Sequence, residues 1–290
     1  MPDLHLVDAT YELFRAWFGA PPRRAPDGRE VGATRGVAYS LAYMLREEGA
    51  THVGCATDHV VRSFRNDLYA GYKTDEGVPE ELLAQFALVE DVMRAMGFVV
   101  WPMIEFEADD GLATAAHKLG DRAERVLLCT VDKDLAQCVR GERVVMVDRR
   151  RKQTLDEAAV KEKFGVTPGS IPDFLALVGD TADGYPGITG FGKKTAATVL
   201  AAFGSIEDIP ADAALWPRGV RGAAGLAATL RDRRDEALLY KRLATLRHDA
   251  PIPESFDELL WRGPRPELTR LTSELGFPDL CDRLPHSPAP

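Results

Sequence analysis

No run of apolar side chains in this sequence approaches the ~20 residues that a helix needs to cross a bilayer, so a helical membrane protein is excluded. The start, Met1-Pro2-Asp3 followed by Leu4-His5-Leu6-Val7, lacks a basic leader, a long apolar stretch and a small-residue cleavage site. Export is therefore not expected, and a cytoplasmic location is. Cysteine is scarce: Cys55, Cys129, Cys138 and Cys281 form no Cys-x-x-Cys pair and have no histidine at zinc spacing. Buried free thiols are the expectation, two of them within apolar strand-like runs. Internal repeats and low-complexity stretches are missing as well. What remains is a chain of 290 residues, 45% hydrophobic, with enough apolar material for one large domain or two modest ones.

An excess of positive charge is also lacking. The formal net charge is −9, which argues against a nucleic-acid partner, whose affinity comes largely from neutralised phosphates. The acids, however, are concentrated. Asp8, Asp58, Glu107, Asp109, Asp110, Asp132, Asp134, Asp180 and Asp183 together account for the whole excess, and the remainder is neutral. Basic residues then gather at Arg62/Arg65/Lys73, Arg140/Arg143, Arg149-Arg150-Arg151-Lys152, Lys193-Lys194 and Arg231 to Arg234. Each such cluster taken alone is most often a solvated face.

Short aliphatic runs recur at Leu4 to Val7, Val53 to Thr57, Phe98 to Trp101, Val126 to Val131 and Val144 to Val147, with helical periodicity between them. Thr34 to Glu48 places Val37, Leu41, Met44 and Leu45 on one face, and Pro79 to Met96 has proline near its start and Gly97 just past its end. Strands alternating with helices predict an α/β fold with a parallel sheet covered on both faces. The strand pattern stops near residue 150. Helices are then predicted over Leu155 to Phe164, Ile171 to Val178, Lys193 to Phe203 and Ala223 to Leu246. The expected division is thus 1–153 and 154–290. In the tail, Trp261, Leu268, Leu271, Leu275 and Phe277 should pack back on the body, with disorder confined to the last few residues.

Ligands of parallel α/β sheets collect at the carboxyl ends of the strands. Asp8 ends the first run, Asp58 follows the second and Asp132 the fourth, while Glu107, Asp109 and Asp110 open a helix whose dipole favours negative charge. An aspartate in such a place is ordinarily a cap or a turn former, and Asp109 or Asp110 could simply cap that helix. Capping does not require three strand ends and a helix start to converge. Nine carboxylates brought together without cations would raise one another's pKa values, and oxygen-only ligands favour Mg²⁺ or Mn²⁺ over Zn²⁺. The chemistry expected is in-line attack of an activated water on a phosphodiester, with two ions about 4 Å apart. Arg65 and Lys73 are the candidates for holding the scissile phosphate and offsetting its charge, although Lys73 alone could be an ordinary surface lysine.

Downstream lies Gly187-Ile-Thr-Gly190-Phe-Gly192-Lys193-Lys194-Thr195-Ala196. It fails as a Walker loop, because Lys194 stands where Ser or Thr must follow Gly-Lys and because a helix, not a strand, precedes it. Glycines between two helices, with N–H groups opening the second, read instead as a helix-hairpin-helix over 184–196 that grips a phosphate backbone without reading sequence. The alternative is a glycine turn that only lets two helices pack closely.

In this order, Phe106-Glu107-Ala108-Asp109-Asp110, Thr130-Val131-Asp132-Lys133-Asp134-Leu135 and Leu177-Val178-Gly179-Asp180 through Ala196 resemble the 5′-3′ exonuclease and flap endonuclease family, which includes the 5′-nuclease domain of bacterial DNA polymerase I. The resemblance runs from Leu4 to about Phe203. It implies a PIN-like, Rossmann-like α/β nuclease domain and a helical region with a helix-three-turn-helix element that holds duplex DNA and, in several members, a monovalent cation such as K⁺. By position, Asp8, Asp58, Glu107 and Asp109 would serve one divalent ion and Asp132, Asp134 and Asp183 the second, with Asp110 and Asp180 as additional carboxylates. Gly187, Gly190, Gly192, Lys193, Lys194 and Thr195 would meet the DNA. Ser63-Phe64-Arg65 followed by Tyr72-Lys73 resembles the start of the family's helical arch, here about 60–100, through which a single-stranded 5′ end passes.

Three departures stand out. Asp8-Ala9 replaces the usual Asp-Gly, Gly184 replaces an Asn, and Thr74-Asp75-Glu76-Gly77 occupies the place of an arginine expected after Tyr-Lys, which predicts an altered grip on the 5′ end. No polymerase segment follows, so a free-standing monomer is expected. Its substrate would be DNA with a free 5′ end, flap or nick, with RNA not excluded, in repair or replication. The rival readings are a DNA-binding protein of the same fold with weakened catalysis, and a phosphatase of the haloacid-dehalogenase type suggested by Val7-Asp8-Ala9-Thr10. In the latter motif Thr10 stands where a second Asp is usual.

Overall fold

The structure is a computed structural model and describes residues 1–285; the disorder expected of the last few residues falls on 286–290, outside that range. The first half alternates β1 (Leu4–Asp8), α1 (Ala9–Gly19), α2 (Gly32–Glu47), β2 (His52–Asp58), α3 (Phe64–Leu68), α4 (Glu80–Ala95), β3 (Val99–Met103), α5 (Ala108–Leu119), β4 (Val126–Cys129) and β5 (Val144–Asp148). These five strands are parallel, and with β6 (Gln153–Leu155) they form one sheet in the order β3-β2-β1-β4-β5-β6. β1 lies inside the sheet with all its residues buried, as its unbroken apolar run requires of a strand covered on both faces. Leu4 and Leu6 face Leu112, Ala113 and Ala116 of α5. Val7 faces the opposite layer, Leu13, Val37, Leu41 and Met93 of α1, α2 and α4.

The helical portion comprises α6 (Glu157–Phe164), α7 (Ile171–Val178), α8 (Lys193–Phe203), α9 (Ala223–Asp232), α10 (Arg234–Ala244) and α11 (Leu268–Glu274). Three sequence expectations change. The sheet extends to Leu155, because β6 pairs antiparallel with β5 at its edge, and Asp156 then caps α6 by accepting from Ala159 N–H at 2.8 Å. The helix expected over 223–246 is broken at Arg233, whose backbone leaves the helical region (φ −117°, ψ 26°). Arg233 reaches out to Thr189 and Arg234 to the carbonyls of Ile206 and Glu207. The arch cannot fill 60–100, since Leu82, Phe86, Val89 and Met93 of α4 are core residues. The segment available to it is that between β2 and α4.

The tail packs back on the body as expected, against the α/β half. Trp261 N–H donates to Thr51 C=O and its indole N–H to Met96 C=O, both at 2.8 Å. Trp261, Leu268, Leu275, Phe277 and Leu280 join the layer built by α1, α2 and α4. The chain thus leaves the sheet after β6, builds its helical portion, and comes back to where it started. Cys55, Cys129 and Cys138 are buried free thiols and Cys281 is half-buried. Among the described residues no helix is long and apolar enough to cross a membrane.

Candidate metal centre

The carboxyl edge of the sheet gathers the acids. Asp8 ends β1 and caps α1, accepting from Tyr11 N–H at 2.8 Å and from the Thr130 hydroxyl at 2.9 Å. Asp58 ends β2 and accepts from Ala108 N–H at 2.7 Å, while its own N–H donates to Thr10 Oγ1 at 2.7 Å. Glu107 precedes α5 and accepts from the Ser63 hydroxyl at 2.7 Å and the Tyr72 hydroxyl at 3.2 Å. Asp8, Asp58, Glu107, Asp109 and Asp132 line one cleft of about 170 Å³ together with Lys73. Asp132, expected with the second ion, is therefore a wall of the first cleft, and its Oδ1 accepts from Asp134 N–H at 3.0 Å. A second group follows: oxygens of Asp134, Asp180 and Asp183 lie within 4.8 Å of one another, all buried.

Lys73 joins the groups, its ammonium 3.0 Å from Glu107 Oε2 and 3.2 Å from Asp183 Oδ1. Gly184, where the family has Asn, explains how the segments meet. It has φ +88°, and a Cβ there would lie 2.2 Å from the carbonyl oxygen of Gly71. That close approach lets Lys73 N–H donate to Asp183 C=O at 3.0 Å.

Two candidates are occupied elsewhere. Arg65 is 1% exposed. It makes a bidentate pair with Asp110 at 2.7 and 2.8 Å, and its Nε donates to Leu243 C=O at 2.7 Å. Its donors are spent inside the protein and none is presented to a phosphate. Asp110, fully buried, also accepts from Glu107 N–H at 3.0 Å and Arg247 N–H at 2.8 Å. It caps α5 and anchors the helical portion, so the capping reading holds for Asp110 and its carboxylate is not free for a metal. Arg149, within the expected basic cluster, is likewise engaged, with Glu48 and Ser40. Sequence reasoning gave Thr10, Thr130 and Lys133 no role at the site and placed Ser63 and Tyr72 only in the arch, whereas both donate to Glu107. Lys133, whose ammonium lies 2.5 Å from Asp180 Oδ2, could have been suspected from its place between two acids.

The electrostatics fit cations. Burial, with Asp132 and Asp58 nearby, pushes Asp8 up to about 7, and burial pushes Asp58 up to about 6. Burial and neighbouring carboxylates raise Asp109, Asp134 and Asp183 as well, Glu107 being the larger of the two acting on Asp183. Glu107 goes the other way: its burial is outweighed by the charges of Lys73 and Arg65. Asp134 Oδ1 is buried with no hydrogen-bond partner, a costly arrangement unless something binds it. Hard oxygen donors of this kind suit divalent cations.

The hairpin lies between α7 and α8. Gly187 has φ +73°, and a Cβ there would sit 2.4 Å from Gly179 N, so the close turn requires glycine. Gly190 is also at positive φ, whereas Gly192 precedes α8 in extended conformation with open space around it. No side chain caps α8, Lys193 and Lys194 are exposed, and Thr195 is half-buried beside them. These are the features that let amides and lysines face a phosphate.

A parallel α/β sheet with grouped carboxylates at its carboxyl edge, followed by a glycine hairpin between helices, is the build of a metal-dependent nuclease. Comparison with known proteins is specific. Residues 3–165 match the 5′-3′ exonuclease N-terminal resolvase-like domain and residues 166–267 the 5′-3′ exonuclease C-terminal SAM fold. The 5′-3′ exonuclease of Aquifex aeolicus is 30% identical over 276 residues, covering 95% of this chain and 91% of that protein. DNA polymerase I of Mycobacterium leprae is 35% identical over 290 residues, covering 98% of this chain. The chain spans only 31% of that polymerase's length. Among solved structures, T5 5′-exonuclease with bound zinc superposes with a TM-score of 0.71 at 18% identity, covering 89% of this chain and 95% of that one. The catalytic core of Rad2 in complex with DNA substrate gives 0.59 at 14% identity, covering 93% and 85%. The chain belongs to the 5′-3′ exonuclease family. The phosphatase reading falls with this assignment, and Asp8 sits within a crowd of acids, not as a lone nucleophile.

Proposed function

We propose that this chain hydrolyses DNA from a free 5′ end and at 5′ flaps or nicks, in a reaction that depends on two divalent cations, Mg²⁺ or Mn²⁺. The observation that carries the reading is the pair of neighbouring carboxylate groups, Asp8/Asp58/Glu107/Asp109/Asp132 and Asp134/Asp180/Asp183, joined by Lys73. The first would hold one ion and the second the other, with Asp132 between them. When bound, the cations supply activation of the attacking water and stabilisation of the leaving oxygen. The chain's own residues do the rest. Thr130, Thr10, Ser63 and Tyr72 orient the carboxylates, and burial fixes their rotamers. Lys73, part-exposed, offers its ammonium to the scissile phosphate and to the charge that grows during reaction.

The exposed lysines and free amides at the start of α8 would hold the duplex backbone, with a K⁺ ion at the hairpin. RNA cleavage, a monomeric state, a cytoplasmic location, and a role in replication or repair belong to the same proposal. So does a division just after β6, at Asp156, with residues 156 to about 246 as the DNA-holding portion.

Replacing Lys73 by Ala should lower the single-turnover cleavage rate about 10²-fold or more while changing flap affinity little, as read by fluorescence anisotropy in Ca²⁺. An unchanged rate would remove Lys73 from the machinery. The reading as a whole is tested by sizing products from 5′-labelled flap, nicked duplex and single-stranded substrates in Mg²⁺, Mn²⁺ or EDTA. Mono- or short oligonucleotides released from the 5′ end, and none in EDTA, are expected. The lack of a basic residue in the exposed turn Thr74–Gly77 favours a second reading, a binding protein without cleavage. Tight flap binding with no product in either metal would establish it.

A further inference from the structure

Beside Asp180, α6, α7 and α8 border a cleft of about 740 Å³; the cleavage reading uses its rim at Asp180, Lys193 and Lys194 and leaves Lys163, Phe164, Phe174 and the rest of the interior without a role. Its size falls in the ~300–1,000 Å³ range of small-molecule sites. Its chemistry is divided. Phe164, Phe174, Leu175, Val178 and Ala197 give an apolar wall, while Lys133, Lys163, Lys193 and Lys194 surround it. Four lysines against one acid, Asp180, leave a net +3 on the lining, in a chain whose total is −9.

Phe164 is half-buried, its ring edge-on to Phe174 at 6.0 Å and its centroid 5.2 Å from the Lys163 ammonium. Tyr185 also lines the cleft. It is 1% exposed, yet its hydroxyl has no hydrogen-bond partner. The hydroxyl faces Asp134, Asp183 and Asp180, so Tyr185 gives the cleft the side of its ring and separates it from the second carboxylate group.

We propose that this cleft binds one free nucleoside 5′-monophosphate, with the base against Phe164 and the phosphate among the lysines. An apolar ligand would leave the lysine rim unanswered, and inorganic phosphate would leave the aromatic wall empty. A nucleotide satisfies both, since bases stack on aromatic rings without sequence preference and lysines hold phosphate as point charges. Lys133 connects the cleft to the carboxylates, because the ammonium available to a phosphate is the one now paired with Asp180.

The test is equilibrium dialysis of the full chain in EDTA with dAMP, deoxyadenosine or inorganic phosphate. Cleavage is silent there, so the outcome stands apart from the nuclease proposal. Saturable dAMP binding about tenfold tighter than that of either fragment is expected. Lys163→Glu and Phe164→Ala should each weaken it about tenfold, with far-UV circular dichroism unchanged. Should Phe164→Ala not fold, Lys163→Glu decides alone. The proposal is overturned by unsaturable dAMP binding or by wild-type affinity in Lys163→Glu. It is overturned equally if a 5′-phosphorylated tetranucleotide binds the cleft more tightly than dAMP, which would make the occupant a strand.

Discussion

Replacing Asp132 and Asp134 together by Asn abolishes cleavage, by more than about 10³-fold, and leaves flap binding close to wild type. Loss of one electrostatic contributor to a transition state typically costs about 10²–10³ in rate, and here two carboxylates are lost, one from each group. Asn preserves the local structure, since Asp132 Oδ1 needs only to accept from the N–H of residue 134. The same variant should be more stable than wild type in EDTA. Burial and its acidic neighbours raise the pKa of Asp134 above the ordinary value, so in the metal-free protein an ionised carboxylate there opposes folding, and that opposition grows as pH rises from the unfolded towards the folded pKa. Asn removes it. Thermal melts in EDTA at neutral pH, beside quench-flow cleavage in Mg²⁺, check both halves. A variant that cleaves normally would reject the site, and one that melts lower than wild type would reject the electrostatic account.

Arg65→Ala costs about 3–5 kcal/mol of unfolding free energy, the range found when one partner of a buried ion pair is removed. Asp110 would be left buried and uncompensated, and the carbonyls of Leu243 and Thr245 would lose their donor. Lys cannot restore the arrangement, because two parallel bonds to Asp110 plus a third to Leu243 need a planar fork. Urea unfolding of the single variants and of Arg65→Ala/Asp110→Ala measures the coupling, and the double variant should recover part of the loss. If Arg65→Ala instead unfolds like wild type and loses only DNA affinity, the guanidinium serves the phosphate after all.

The contrast between Arg65 and Lys73 shows what could be read from the chain and what could not. Strands were legible because residues buried on both faces must be apolar in succession, and the acids at their ends stood out against that background. Asp8, Asp58 and Asp132 were placed correctly at one edge for this reason. A basic residue near acids reads the same whether it faces solvent or is sealed between elements, and the partners of Arg65 at Leu243 and Thr245 are 178 and 180 residues away. Asp110 was misplaced by the same blindness, since a cap and a ligand share one spacing. Strand β6 escaped for a different reason: Gln153-Thr154-Leu155 is a largely exposed edge with no apolar alternation to announce it. At Arg233 the periodicity runs on while the backbone does not, because the break is fixed by contacts with Thr189 and the 206–209 turn.

The route of the chain ties its two portions into one body. The polypeptide departs after β6 and reattaches where Trp261 meets Thr51 and Met96, just before β2 and just after α4, while Arg65 donates across the boundary to the carbonyls of Leu243 and Thr245 and Arg247 N–H returns a bond to Asp110. Leu4 and Leu6 of the sheet also share one apolar cluster with Phe174, Leu175 and Tyr240 of the helices. A nick in either connection would therefore leave the α6–α10 assembly seated on the sheet, held by the shared core.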